Sequence, residues 1–150
     1  MAMNDMGRSM GIDYGSRRVG IALSDPMGIL ASGLETIPRR GEDDFAVIRR
    51  IVELCAAHEV KRIILGLPRR TDGKSGEAEQ SARDFAAGLA EATGLEVIFA
   101  DERYTTVMAG RIMQEAGIKR EKRRELIDQI AAEIILQDWL EQNRKQQHLQ

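Results

Sequence analysis

A carboxylate stands in the middle of the first strand-like run of this chain. Met10-Gly11-Ile12-Asp13-Tyr14-Gly15 ends on a glycine, and a second alternating run, Val19-Gly20-Ile21-Ala22-Leu23-Ser24, follows after a turn. With a period of two, Ile12 and Tyr14 share one face and Asp13 points to the other. An acid is disfavoured in a strand and costly to bury without a partner. Two arrangements accommodate it. Either Asp13 lies on the exposed face of a half-buried antiparallel strand, or it is offset by a hydrogen-bond network, a basic partner or a metal.

The segment Tyr14–Arg18 suits a hairpin, so the first two strands are expected to be antiparallel. Asp25-Pro26-Met27-Gly28 is a second turn, and Ala31 to Ile37 completes a meander before Pro38-Arg39-Arg40-Gly41 breaks the pattern. Glu42-Asp43-Asp44 opens a helix with acids where the dipole favours them, and Phe45, Ile48, Val52 and Cys55 recur at helical spacing. Lys61 to Leu67 carries a short continuous apolar run, the pattern of a central parallel strand. Pro68 to Gly76 is a loop. A second helix is expected from about Glu77 to Thr93, with Ala82, Phe85, Ala86 and Leu89 inward and Gly94 closing it.

Glu96 to Ala100 reads as another buried parallel strand, ending at Asp101-Glu102-Arg103-Tyr104-Thr105-Thr106. Thr105 or Thr106 can cap a third helix reaching about Ala116. The polar segment Gly117 to Glu125 is either mobile or the start of the last helix, which runs from Leu126 to about Asn143. Residues 1–8 and 144–150 are expected to be flexible. The order predicts one domain over residues 1–150. It is an α/β fold with a mixed sheet, three antiparallel strands then two parallel strands, flanked by helices.

Composition narrows the class. A 43% apolar and 31% charged chain of 150 residues is globular, and 22 basic residues nearly cancel 24 acidic ones. Net charge therefore argues neither for nor against nucleic acid; the distribution must decide. The single cysteine, Cys55, occupies an apolar helical position and excludes a disulfide framework. His58 and His148 stand far apart among polar neighbours and make neither a triad nor a zinc site. No apolar run is long enough for a membrane helix and the start is no signal peptide, so a cytoplasmic location without membrane association is expected. Monomer and homodimer both stay open.

Three acidic positions gain meaning together. Asp13 is mid-strand. Asp101 and Glu102 lie at the carboxyl end of an expected central parallel strand, where open α/β sheets place their ligand crevice. Asp128 shares a helical stripe with Ala131, Ala132, Ile135 and Trp139, so it points toward the sheet, and the two alanines allow close approach. Individually, each could be a solvated or dipole-stabilised acid. Carboxylates on separate elements meeting at one edge would repel unless they surround a hard divalent cation such as Mg²⁺. Two such ions can activate water and stabilise the leaving oxygen in phosphodiester cleavage.

The run Gly11-Ile12-Asp13-Tyr14-Gly15-Ser16-Arg17-Arg18-Val19-Gly20 through Pro26 resembles the opening of the YqgF (RuvX) family. These are Holliday-junction-resolvase-like, pre-16S rRNA processing nucleases. The resemblance continues, in family order, at Ile64-Leu65-Gly66-Leu67-Pro68 with Asp72-Gly73, at Asp101 to Thr106, and at Ile127-Asp128-Gln129-Ile130-Ala131-Ala132 with Ile135-Leu136-Gln137. It implies an RNase H-like fold and a metal-dependent nuclease. By it, Asp13, Glu102 and Asp128 are the catalytic acids, with Asp101 beside them as a possible ligand, around one or two Mg²⁺ or Mn²⁺ ions. The favoured substrate is precursor rRNA, with branched DNA as the other candidate. Arg69-Arg70-Thr71 depart from the family pattern, which often has an apolar residue and Asn there.

Basic residues gather around the same expected edge: Arg17 and Arg18 in the first turn, Arg69, Arg70 and Lys74 in the loop after Pro68, and Arg103 beside the acids. Lys119, Arg120, Lys122, Arg123 and Arg124 precede Asp128. A near-neutral chain can thus present a basic rim to a phosphate backbone. Two rivals remain: a non-catalytic rRNA-binding assembly factor, and an actin-like nucleotide-binding domain, for which the chain is short.

Overall fold

The fold is described from a computed structural model covering residues 7–41, 43–67, 76–101 and 111–148, with backbone alone for residues 101, 120, 121, 124, 125, 147 and 148. In chain order come β1 (Arg8–Tyr14), β2 (Arg18–Ser24), β3 (Ala31–Pro38), α1 (Phe45–Ala57), β4 (Val60–Leu67), α2 (Glu77–Thr93), β5 (Glu96–Asp101) and α3 (Arg120–His148). A helical stretch over 111–115 precedes α3.

Alternation along β1 sorts its residues between two cores. Met10, Ile12 and Tyr14 join Val19 and Ile21 of β2 against Val47, Ile51, Leu54 and Cys55 of α1 and Ala82, Phe85, Ala86 and Leu89 of α2. Ala22 of β2 and Ile64 of β4 face the opposite way, against Ala132, Ile135, Leu136 and Leu140 of α3. The result is three layers, with a sheet between α3 on one side and α1 and α2 on the other. The five strands run in the order β3-β2-β1-β4-β5. β1 pairs antiparallel with β2, and β2 with β3, while β4 is parallel to both β1 and β5. β1 is therefore the middle strand, and the carboxyl ends of β1, β4 and β5 open at one end of the sheet.

Several expectations change. The inward stripe of α1 is Val47-Ile51-Leu54-Cys55, while Phe45 is 68% exposed. The sequence carries two overlapping apolar stripes; the core centres on Val47, Ile51 and Leu54, with Cys55 buried and Ile48 packed against it as expected. Asp44 is the N-cap by position but its side chain makes no capping bond; Asp43 Oδ1 accepts from Phe45 N at 3.0 Å instead. β5 is an edge strand of this sheet, not a central one. Its apolar run reads as buried, yet Phe99 is 38% exposed and lies under the Arg83 guanidinium, 5.1 Å from the ring centre. α3 begins at Arg120, taking in most of the basic segment, and continues to His148. Gly94 closes α2 with φ of 72°, as expected. The Thr105 or Thr106 cap lies outside the described residues. Among the described residues no helix is long and apolar enough to cross a membrane.

Candidate active site

Asp13 is 5% exposed. In the β1–β2 ladder it stands directly opposite Gly20. Opposed residues of an antiparallel pair project to the same face, so the Cβ that Gly20 lacks would share the face of the Asp13 carboxylate. That missing Cβ would lie 1.9 Å from the carbonyl oxygen of Asp128 and 2.9 Å from its Cβ. Asp128 of α3 therefore rests on the strand next to Asp13, on the same side of the sheet.

The same close approach recurs along α3. A Cβ on Gly11 would stand 2.6 Å from the Cβ of Leu136 and 2.8 Å from the Ala132 carbonyl, and one on Gly33 would stand 3.1 Å from the Cβ of Gln129. Gly11, Ala22 and Gly33 form one register row across β1, β2 and β3. Gln129 Nε2 donates to Thr36 Oγ1 at 3.1 Å and Ala31 N donates to Gln137 Oε1 at 2.8 Å, tying α3 to the edge strand. Small residues thus set the depth of the helix, and polar ones fix its position along the sheet.

Arg18, at the start of β2, donates Nε to Asp128 Oδ2 at 2.7 Å; the arginine side chain is 41% exposed and the aspartate side chain 15%. The turn that carries it is held from beneath. Gly15 N donates to the Arg18 carbonyl at 3.0 Å, and Arg39 N to the Arg17 carbonyl at 2.8 Å. Arg39 Nη1 reaches the Gly15 carbonyl at 3.2 Å, and its Nε pairs with Asp44 Oδ1 at 2.8 Å. Tyr14 donates its hydroxyl to Asp44 Oδ2, stacks on Phe85 at 4.2 Å and lies under the Arg39 guanidinium at 4.4 Å. Burial, then the hydrogen bond and charge of Asp44, push the Tyr14 hydroxyl well above its ordinary value, with Arg39 working the other way.

The remaining expected residues divide. Asp101 ends β5 with its backbone in register with Leu67. β5 lies two strands from β1, roughly 10 Å at ordinary strand spacing. Glu102, Arg69, Arg70, Lys74 and Arg103 lie outside the described residues. Arg17, Lys119 and Lys122 are exposed. Arg123 donates Nε to the Ile118 carbonyl at 2.8 Å. Arg120 and Arg124 occupy the first turns of α3. Among the described residues no three His, Cys, Asp or Glu side chains gather to hold a metal. What the described residues do bring together is Asp13 and Asp128, hard oxygen donors of the type Mg²⁺ and Mn²⁺ take.

The RuvX family model, described as Holliday junction resolvase, matches residues 7–142. The chain belongs to the RuvX family. A relative in Agathobacter rectalis is 44% identical over 135 residues, covering 89% of this chain and 94% of its own length. One in Moorella thermoacetica is 45% identical over 135 residues, covering 89% and 94%. Both are provisionally named pre-16S rRNA nucleases. Among solved structures, Thermus thermophilus RuvC in complex with Holliday junction substrate superimposes with a TM-score of 0.61 at 14% identity, covering 93% of this chain and 96% of that one. A fowlpox virus resolvase bound to Holliday junction DNA gives a TM-score of 0.51 at 14% identity, covering 90% and 97%. These likenesses establish the RNase H-like fold of this RuvX chain.

Two features around Asp13 and Asp128 are not legible in the sequence. Gly20 is the contact point of Asp128, and the signal for it is the small residues Gly20 and Ala22 alternating on one face of β2, with Gly11 paired to Ala22 on β1. The Arg39–Asp44–Tyr14 group beneath the turn had no sequence signal, because its members are brought together by the β2–β3 pairing.

Proposed function

We propose that this chain is a divalent-metal-dependent nuclease that hydrolyses phosphodiester bonds of structured nucleic acid in the cytoplasm, with precursor 16S rRNA as its substrate. The observation that carries this reading is the seating of Asp128 on Gly20, directly beside the buried Asp13. Asp13, Asp128 and Glu102, with Asp101 beside it, are the residues that would hold one or two Mg²⁺ or Mn²⁺ ions. Bound metal of this kind supplies activated water and stabilises the leaving oxygen.

The chain's own residues do the rest. Asp13 is buried on a strand paired on both sides, so its backbone is held in place. Arg17, Lys119 and Lys122 offer exposed positive charge near the mouth of the site. Lys122 stands six residues before Asp128, about 9 Å along the helix. The first turns of α3 hold Arg120, Lys122, Arg123 and Arg124, where the helix dipole disfavours cations. An approaching phosphate backbone relieves that conflict. Arg69, Arg70, Lys74 and Arg103, outside the described residues, are the further basic residues proposed to contact the backbone.

The test is cleavage of a precursor 16S rRNA fragment in Mn²⁺. Asp13→Asn is expected to lower the rate by more than about a hundredfold, with a melting temperature in chelator equal to that of the wild type. Equal rates for the variant and the wild type would sink the reading. No cleavage by the wild type would favour a non-catalytic binding factor. The family description supports a second substrate, the four-way DNA junction; parallel assays with matched junction and rRNA substrates rank the two.

A further inference from the structure

We propose that Arg18 is a resident counter-ion for Asp128. A divalent cation must displace it to load the site, and the freed guanidinium then turns to a substrate phosphate. The inference rests on the metal-dependent reading above and concerns what occupies the site before metal arrives.

The geometry distinguishes Arg18 from its neighbour Arg17. Arg17 is exposed at the tip of the turn. Arg18 instead places Nε 2.7 Å from Asp128 Oδ2, on one of the two described carboxylates of the site. Cationic guanidinium and metal compete for that oxygen. The contact uses Nε, on the side of the guanidinium, rather than the two-pronged fork that makes arginine–carboxylate pairs strong. The arginine is 41% exposed, so the pair is solvent-screened and weak enough to exchange. Its backbone does not move in that exchange: the Arg18 carbonyl accepts from Gly15 N at 3.0 Å, and the Arg39 contacts hold the turn. Rotation of the side chain alone carries the guanidinium from Asp128 toward the mouth. One carboxylate of the site is thereby neutralised without metal, and charge reaches the phosphate at the moment the metal is in place.

The experiment measures Mn²⁺ binding by calorimetry on the full chain without nucleic acid. Arg18→Gln is expected to bind Mn²⁺ about two- to fivefold more tightly than wild type, the range a partly exposed ion pair supports. Arg18→Lys, which keeps the charge, should fall between. Binding of a cleavage-resistant phosphorothioate RNA is then compared with and without Mn²⁺. Arg18→Gln should weaken RNA binding and lower the salt slope by about one in Mn²⁺, with little effect in its absence. Unchanged or weaker Mn²⁺ binding by Arg18→Gln overturns the inference alone, as does an equal RNA defect with and without metal. Absence of Mn²⁺ binding by the wild type overturns the metal-dependent reading itself, and the inference with it.

Discussion

Gly20 faces Asp13 across the β1–β2 ladder, and any side chain at Gly20 would collide with the backbone of Asp128, whose carbonyl oxygen lies 1.9 Å from the ideal Cβ position. The backbone of Asp128 can rest beside Asp13 only because a methyl group is missing at Gly20.

Gly20→Ala should therefore cost more than an ordinary strand substitution. The clashing atoms are backbone, which cannot rotate away, so α3 must lift. Overpacking of this type costs about 1–3 kcal/mol. Urea denaturation would measure the loss, and Mn²⁺ affinity should fall in the fraction that remains folded. A variant as stable and as metal-competent as wild type would contradict the seating of Asp128 on β2.

Metal should stabilise the fold through linkage. A ligand that binds the folded chain at a hundred times its dissociation constant adds about 2.7 kcal/mol. Melting in Mn²⁺ is expected to rise above melting in chelator, and the difference should vanish in Asp13→Asn and in Asp128→Asn. A shift that survives both substitutions would place the ion elsewhere.

Asp25 organises the β2–β3 loop and should make it acid-sensitive. Its carboxylate accepts from Ile29 N at 2.7 Å, Leu30 N at 2.8 Å and Met27 N at 3.1 Å. Desolvation opposes ionisation, but these N–H groups together outweigh it and hold the group below its ordinary value of 3.8. A depressed folded value means the stabilisation is complete above the ordinary value and is lost as pH falls through the lower one. Asp25→Ala should cost about 1–2 kcal/mol at neutral pH, and its melting curve should converge on wild type in strong acid.

Tyr14 makes the opposite end of the pH scale informative. Its hydroxyl is raised above the ordinary value of 10.0, with burial the leading cause and Asp44 next. A raised value in a group that ionises to an anion stabilises the fold fully below the unfolded value, and that contribution is lost as pH rises above it. Tyr14→Phe should lose about 1 kcal/mol at neutral pH. It should also show a smaller alkaline loss of stability than wild type between pH 9 and roughly 11. Parallel alkaline curves would remove Tyr14 from the network beneath the turn.

Much of this arrangement was legible in the residues. The alternation around Asp13 placed Ile12 and Tyr14 on one core, and the small stripe of Ala131 and Ala132 predicted a closely docked last helix. The inward face of α2 also followed from its spacing. What escaped were features decided by partners distant in sequence. The Phe45 stripe and the Val47 stripe are equally periodic, and packing alone chose between them. The run at 97–100 is apolar enough for a central strand, and its place at the edge follows from the sheet order. Arg18 reads as a phosphate contact in a turn, because Asp128 stands 110 residues away.

The docking of α3 through Gly11 and Gly20 has a consequence for how such a chain can diverge. This contact fixes the residue type at the two glycines and leaves the outer helix positions unconstrained. Replacements on the outer surfaces of the helices leave the helix depth untouched, and with it the spacing between Asp13 and Asp128. A fold shared with RuvC at 14% identity is what such a contact permits. The outer surface is free to be rewritten while the depth of the helix on the sheet stays set by the glycines beneath it.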